Sequence, residues 1–399
     1  MDRRIYLDHA ATTPTDERVV SAMLPYLTAA WGNPSSIYAE ARDARKGLDD
    51  ARRTIAGVLG CKPNEIIFTS GGTEADNLAL RGVAAAMRAR SQGDGSARDH
   101  IITTAIEHHA ILNECEALEK EGFRLTYLPV DGEGFVDLDA LRAALDERTA
   151  VVSVMYANNE VGTIEPIAEV ARIVKERDPR IVVHTDAVQA AGSLDVSVDR
   201  LGVDMLSMAA HKLYGPKGVG ALFVRGRTPF VAQTVGGSQE RNRRAGTENV
   251  AGAVGLATAL RLAYDELDAR NARLIAMRDR LIDELPRRIP GTIVTGPRDS
   301  SKRLPNSASF AFEHLEGEAV LLQLDLLGVA ASSGSACTTA SLEPSHVLLA
   351  MSVPERYLRG SLRLTLGTDN RPEDIDYLLE VLPPAVAKIR ALAPAGTSR

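Results

Sequence analysis

From about residue 65 the chain alternates short apolar runs with longer amphipathic stretches. The runs fall at 66–69, 101–103, 125–128, 151–154, 181–183, 205–208 and 221–224. Several are near-continuous hydrophobics, the pattern of strands buried on both faces. Segments long enough for helices separate most of them, which predicts a mainly parallel α/β sheet. Ahead of this region, Thr15, Asp16 and Glu17 cap a predicted helix carrying Val19, Val20 and Met23, and a second helix fills 38–59. Beyond 246–249 a long helical stretch begins. Leu274, Met277, Leu281 and Leu285 keep helical spacing until Pro286. The polar stretch 88–99, with Gly93 and Gly95, reads as an exposed loop.

Length changes this picture by dividing it. A chain of 399 residues is too long for one compact core and suits two domains. The expected division is a large domain over 16–260 and a smaller one formed by 1–15 with 261–399. The net charge of −7, without a basic block, argues against wholesale nucleic-acid binding. The start of the chain lacks an apolar signal core. The longest weakly polar run, 250–260, falls short of the ~20 residues a membrane span needs. A cytoplasmic protein is the expectation. Cys61, Cys115 and Cys337 lie far apart, with no metal-ligand or redox-motif spacing. No metal site is expected, and Cys115 reads as core.

Candidate chemistry gathers just after the predicted strands, where open parallel sheets bind ligands. Asp186 ends one apolar run and Lys212 follows the next. A lysine to form a Schiff base and an acid to keep a ring nitrogen protonated suit pyridoxal phosphate. The turn SGGTEADN, residues 70–77, opens a helix whose first N–H groups and positive end suit an anion. His108 in EHHA can stack on a flat ring, and Asn159 in NNEVG can meet a carboxylate or phenolic oxygen. Arg363, flanked by apolar residues, suits either a substrate carboxylate or an internal salt bridge. Cys337 lies among small polar residues in SSGSACTTA, a setting that exposes a thiol.

Together these stretches resemble the cysteine desulfurases of the NifS/IscS type, within the class V aminotransferase group. The matching text is YLDHAATTP, NPSS, SGGTEADN, EHHA, NNEVGT, HTDAVQ, HKLYGPKG, GGSQERNRRAGTEN, SSGSACTTASLEPSHVL and SLRLTLG, in order from residue 6 to 367. SSGSAC resembles the long-loop group of these enzymes. The resemblance implies the type I pyridoxal-phosphate fold, a large mainly parallel domain plus a smaller α+β C-terminal domain, working as a homodimer. It implies that Lys212 holds the cofactor and moves protons, Asp186 pairs with the ring nitrogen and Gln189 contacts the ring oxygen. His108 would stack on the ring and act in acid–base steps. Gly72, Thr73 and His211 would hold the phosphate, with Thr247 reaching in from a partner subunit. Asn159 and Arg363 would bind the carboxylate of L-cysteine, and Cys337 would take its sulfur as a persulfide. The implied acceptors are iron–sulfur scaffold and tRNA-thiolation proteins.

Two positions depart from the family pattern. Ala209 stands where a phosphate-binding serine is usual, and Glu165 where glutamine is common. The rival readings are a selenocysteine lyase, a class V transaminase that needs no thiol, and a sulfur-relay protein without cofactor chemistry.

Overall fold

The computed structural model describes residues 4–94, 98–334 and 343–392. Its strands in chain order are β1 (Ile5–Tyr6), β2 (Ile66–Thr69), β3 (His100–Thr104), β4 (Arg124–Leu128), β5 (Thr149–Ser153) and β6 (Val182–Asp186). They continue with β7 (Met205–Ala209), β8 (Gly220–Val224), β9 (Thr292–Val294), β10 (Ser307–Phe312), β11 (Val329–Ala330) and β12 (Ser361–Thr365). Seven of them form one sheet in the order β2-β8-β7-β6-β5-β3-β4. Its pairings are parallel except where β8 runs antiparallel to both neighbours. The mainly parallel α/β sheet read from the apolar runs is therefore present.

Strand geometry explains why those runs are continuous. Successive side chains point to opposite faces, and here both faces are covered. Ile66, Phe68, Ile102, Val152, Val183 and Leu206 enter one buried cluster. Their immediate neighbours Ile67, Ile101, Val151, Val182 and Met205 enter another, with Leu78, Val83 and Cys115. Cys115 is fully buried, as expected of a core residue.

A separate cluster joins Ile5 and Leu7 to residues between Leu274 and Val386. It lies against the antiparallel sheet β12-β10-β9 and the parallel pair β1-β11. A smaller seam packs Ile106, Met155 and Val161 on Val347, Leu348 and Met351. Arg303 ties Val161 of that seam to the segment following β9. Its buried guanidinium donates to the carbonyl oxygens of Pro297, 2.7 Å, and Val161, 2.9 Å, and to that of Thr295. Burial, then the neighbouring Arg278 charge, pushes it down to about 9.

Two local expectations are corrected. The stretch 88–99 is not all loop, because the helix Gly72–Asp94 runs through its first half. The helix Leu267–Arg288 continues past Pro286. A proline so close to a helix end forfeits one hydrogen bond, which burial of Leu281, Ile282 and Leu285 offsets. The helix Glu17–Thr28 is capped by Asp16, whose side chain accepts from the Arg18 N–H.

Glu165 acquires a consequence here. It is buried, and its Oε2 accepts the Val136 N–H at 3.0 Å, while Oε1 has no partner. Burial, opposed by the Val136 contact, pushes its carboxyl up to about 8 from 4.5. A raised carboxyl leaves stability intact below the unfolded value and erodes it as pH rises toward the folded one. Glu165→Gln keeps the shape and the acceptor but removes the charge. The variant is expected to melt above the parent protein, with the gap widening from pH 5 to pH 8 to roughly a few kcal/mol. Melting curves across that range check it, and a gap independent of pH contradicts it.

Candidate active site

The carboxyl ends of five strands meet at one cavity of about 480 Å³. β2 ends at Thr69, and the chain turns through Ser70 and Gly71 into the helix Gly72–Asp94, so Gly72 and Thr73 line the cavity. β3 leads to His108, β5 to Asn159, β6 to Asp186 and Gln189, and β7 to His211 and Lys212 in a short 3₁₀ turn. Arg363 arrives from β12, on the other sheet. Nine of the residues singled out from the sequence thus share one wall. Thr247 is exposed and outside this cavity. Cys337 lies outside the described residues.

Asp186 forms the floor. Burial raises its carboxyl to about 6, opposed by the Val188 N–H, which donates to it at 2.8 Å, and by the Lys212 charge. Asp76 lies alongside, one helical turn beyond Gly72 and therefore on the same helix face. Burial, and then the Asp186 charge, raises Asp76 well above the ordinary carboxylate value. With Lys212 and an N–H on its side, Asp186 is the member of this pair that keeps its negative charge. His184, two residues before Asp186, is buried between Ser153 at 2.9 Å and Ser207 at 3.0 Å, and burial holds it neutral, at about 3.

The histidines are neutral as well. His108 Nδ1 accepts the Ala110 N–H at 3.1 Å and so caps the helix His109–Lys120. That contact puts the ring proton on Nε2. Burial, then Lys212, lowers His108 to about 4. Burial, then Lys212 and Lys217, does the same for His211. His346 extends the wall, its ring centroid 4.8 Å from that of His109. Lys212 Nζ donates to the carbonyl oxygens of Ala10 and of Ala11, the latter at 2.8 Å, and Gln189 donates to Ala10 at 3.0 Å. The N-terminal segment YLDHAATTP thus closes one side.

Fit to pyridoxal phosphate can be tested on these features. The cavity volume lies within the range of small-molecule sites, and it joins a charged acid, an amine and neutral rings. At the helix start a Cβ on Gly72 would lie 2.7 Å from Val188 Cγ2, so no larger residue fits that turn. The first N–H groups of a 23-residue helix open beside it. The residues present fit the group.

Sequence reading passed over Asp8, Asp76 and Glu160. All three stand in the quoted motifs, and the (i, i+4) spacing from Gly72 was the available signal for Asp76. Glu160 is buried, accepts from Ser345 Oγ at 2.5 Å, and lies within 2.5 Å of where a Cβ on Gly334 would stand. Only folding brings those three together.

The fold and this site define the class: the chain belongs to the aminotransferase class-V family, whose profile matches residues 5–378. Within that family, it is 52% identical to a protein named cysteine desulfurase IscS from Dictyoglomus turgidum, over 99% of this chain and 97% of the relative. It is 48% identical to another of that name from Methanosarcina thermophila, over 98% and 94%. A solved NifS-like protein superposes with a TM-score of 0.89 at 37% identity, covering 96% of this chain and all of the other. A structure titled SspA in complex with cysteine gives 0.77 at 34%, covering 91% and 98%.

Proposed function

We infer that this chain is a pyridoxal-phosphate-dependent cysteine desulfurase, converting L-cysteine to L-alanine and a persulfide on Cys337. The observation that carries it is the convergence of Lys212, Asp186 and His108 on one cavity, in a chain about half identical to proteins of that name. When bound, the cofactor supplies an electron sink for charge developing at the substrate's Cα. Lys212 holds it covalently and moves the Cα proton. Asp186 keeps a proton on the ring nitrogen, and Asp76 behind it stays protonated. His108, neutral, presents a ring face and an Nε2 proton. Gly72, Thr73 and His211 hold the phosphate, and Gln189 the ring oxygen. Asn159 and Arg363 orient the substrate carboxylate. Cys337 receives the sulfur.

The cofactor-holding domain is 16–260, and 1–15 with 261–399 form the second; the separate buried clusters support that division. The working form is a homodimer. Leu24, Leu27, Trp31 and Ile37 are 55–92% exposed along one short segment, an apolar surface that a second subunit can cover. The exposure of Thr247 supports its serving the partner's phosphate site. No helix among the described residues is long and apolar enough to cross a membrane, and the proposed location is cytoplasmic. The proposed acceptor is a protein of iron–sulfur assembly or tRNA thiolation.

A visible spectrum of the purified protein, followed by L-cysteine addition with alanine and sulfide assayed, tests the function. A colourless protein that releases no alanine after cofactor is supplied overturns it.

Ala209 supplies a finer test. It is buried and lines the cavity, 3.7 Å from the position of a Cβ on Gly72, so a serine hydroxyl there reaches the phosphate turn. One charge-assisted hydrogen bond is worth roughly 1.5–3 kcal/mol, of which a bridging water can recover part. Ala209→Ser is expected to retain cofactor about tenfold longer than the parent protein during dialysis against a carbonyl scavenger. Equal loss rates contradict this.

A further inference from the structure

Arg363 does not wait in the cavity as an isolated charge. Its backbone is held in β12 opposite Ser309 and bridged to Ser332. Its side chain is 2% exposed. Nη1 donates to the backbone oxygen of Asn159 at 3.0 Å, and Nη2 donates to Asp8 Oδ1 at 2.9 Å. Nε is buried without a partner. Each terminal nitrogen carries two N–H groups, so one on each remains for a ligand. Asp8 itself does not line the cavity; it stands behind Arg363, bridged to Thr365.

We infer that Asp8 is a positioning and affinity-setting residue: it aims the Arg363 guanidinium at the cavity and, by sharing its charge, weakens the hold on a substrate carboxylate. A second carboxylate on one guanidinium meets the repulsion of the first, in a medium where charges are poorly screened. Other acids already line the cavity, Asp186 and Glu160 among them, and Lys212 opposes them. A substrate site with a moderated arginine binds its amino acid less tightly, which leaves more of the binding energy for the reaction itself. The two effects of Asp8 have opposite signs and separate by substitution. Asparagine keeps an oxygen acceptor in the same place but removes the charge. Alanine removes both.

The test uses holoenzyme and presupposes the amino-acid reading above. Asp8→Asn is expected to lower the KM for L-cysteine by roughly three- to tenfold, the scale of the Coulomb repulsion between two carboxylates that share one poorly screened guanidinium. Asp8→Ala is expected to raise it, because the guanidinium is released. Cysteamine, which has the amine and thiol but no carboxylate, is expected to bind all forms with the same affinity, read from the cofactor absorbance. Asp8→Ser, a second neutral acceptor, replaces the asparagine variant if that protein does not fold. A KM that is unchanged or raised in both neutral variants overturns the inference, as does an equal shift for cysteamine. Arg363→Ala distinguishes the levels. If it leaves the KM for cysteine unchanged, the carboxylate role of Arg363 fails. If it raises that KM while the neutral Asp8 variants leave it alone, only the role of Asp8 fails.

Discussion

Lys212→Ala is expected to stop alanine formation, with turnover falling by roughly 10²–10⁴-fold from the lost proton transfer alone. Loss of covalent attachment adds to that. The structure explains why no neighbour substitutes. His108 and His211 face the same cavity but are lowered to about 4, so both are neutral and poorly basic there. Lys217 reaches the carbonyl oxygen of Thr13 at 3.1 Å and does not line the cavity. Asp186 is on the floor, with an N–H from Val188 to hold it. The variant should still fold, since Lys212 is a cavity-wall residue and not part of a core cluster. Alanine assayed over time, beside the visible spectrum, checks both halves of the expectation. Full alanine production by the variant would remove Lys212 from the mechanism.

Cys337→Ser is expected to bind cysteine yet form no protein persulfide, with sulfur transfer lost. The other thiols are poor candidates on physical grounds. A thiolate is the nucleophile, so a thiol that cannot ionise cannot accept sulfur. Burial, then the Glu65 charge, pushes Cys61 up to about 12. Cys115 is fully buried, and burial with the nearby Glu107 charge raises it as well. Mass spectrometry after cysteine addition should find the added sulfur on Cys337 in the parent protein and on no cysteine in the variant. Trapped persulfide on Cys61 or Cys115, with Cys337 dispensable, contradicts the assignment.

How much of this was legible differs from residue to residue. Asp186 and Lys212 could be read because each stands at the end of an apolar run, and strand ends in a parallel sheet share an edge. Gly72 and Thr73 could be read as a candidate anion turn, because a glycine turn before a helix leaves N–H groups open, although the same turn also serves as an ordinary helix start. Arg363 was legible only as an alternative between a carboxylate and a salt bridge. The structure gives it both an internal acid and a face on the cavity, a combination that strand position alone does not specify. Asp76 was hidden inside a quoted motif, because its effect depends on distance to an acid more than a hundred residues away.

The sequence by itself determined the alternation of buried strands and covering helices, and with it the edge on which the chemistry collects. Those properties follow from local periodicity and from which residues cannot remain in water. Only the tertiary structure decided the charge states and pairings. Asp8 meets Arg363 across 355 residues of chain, Arg303 ties Val161 to Thr295 and Pro297, and Glu165 loses the water that would have kept it ionised. Burial and long-range pairing set those energies, and neither is a property of any single stretch of sequence.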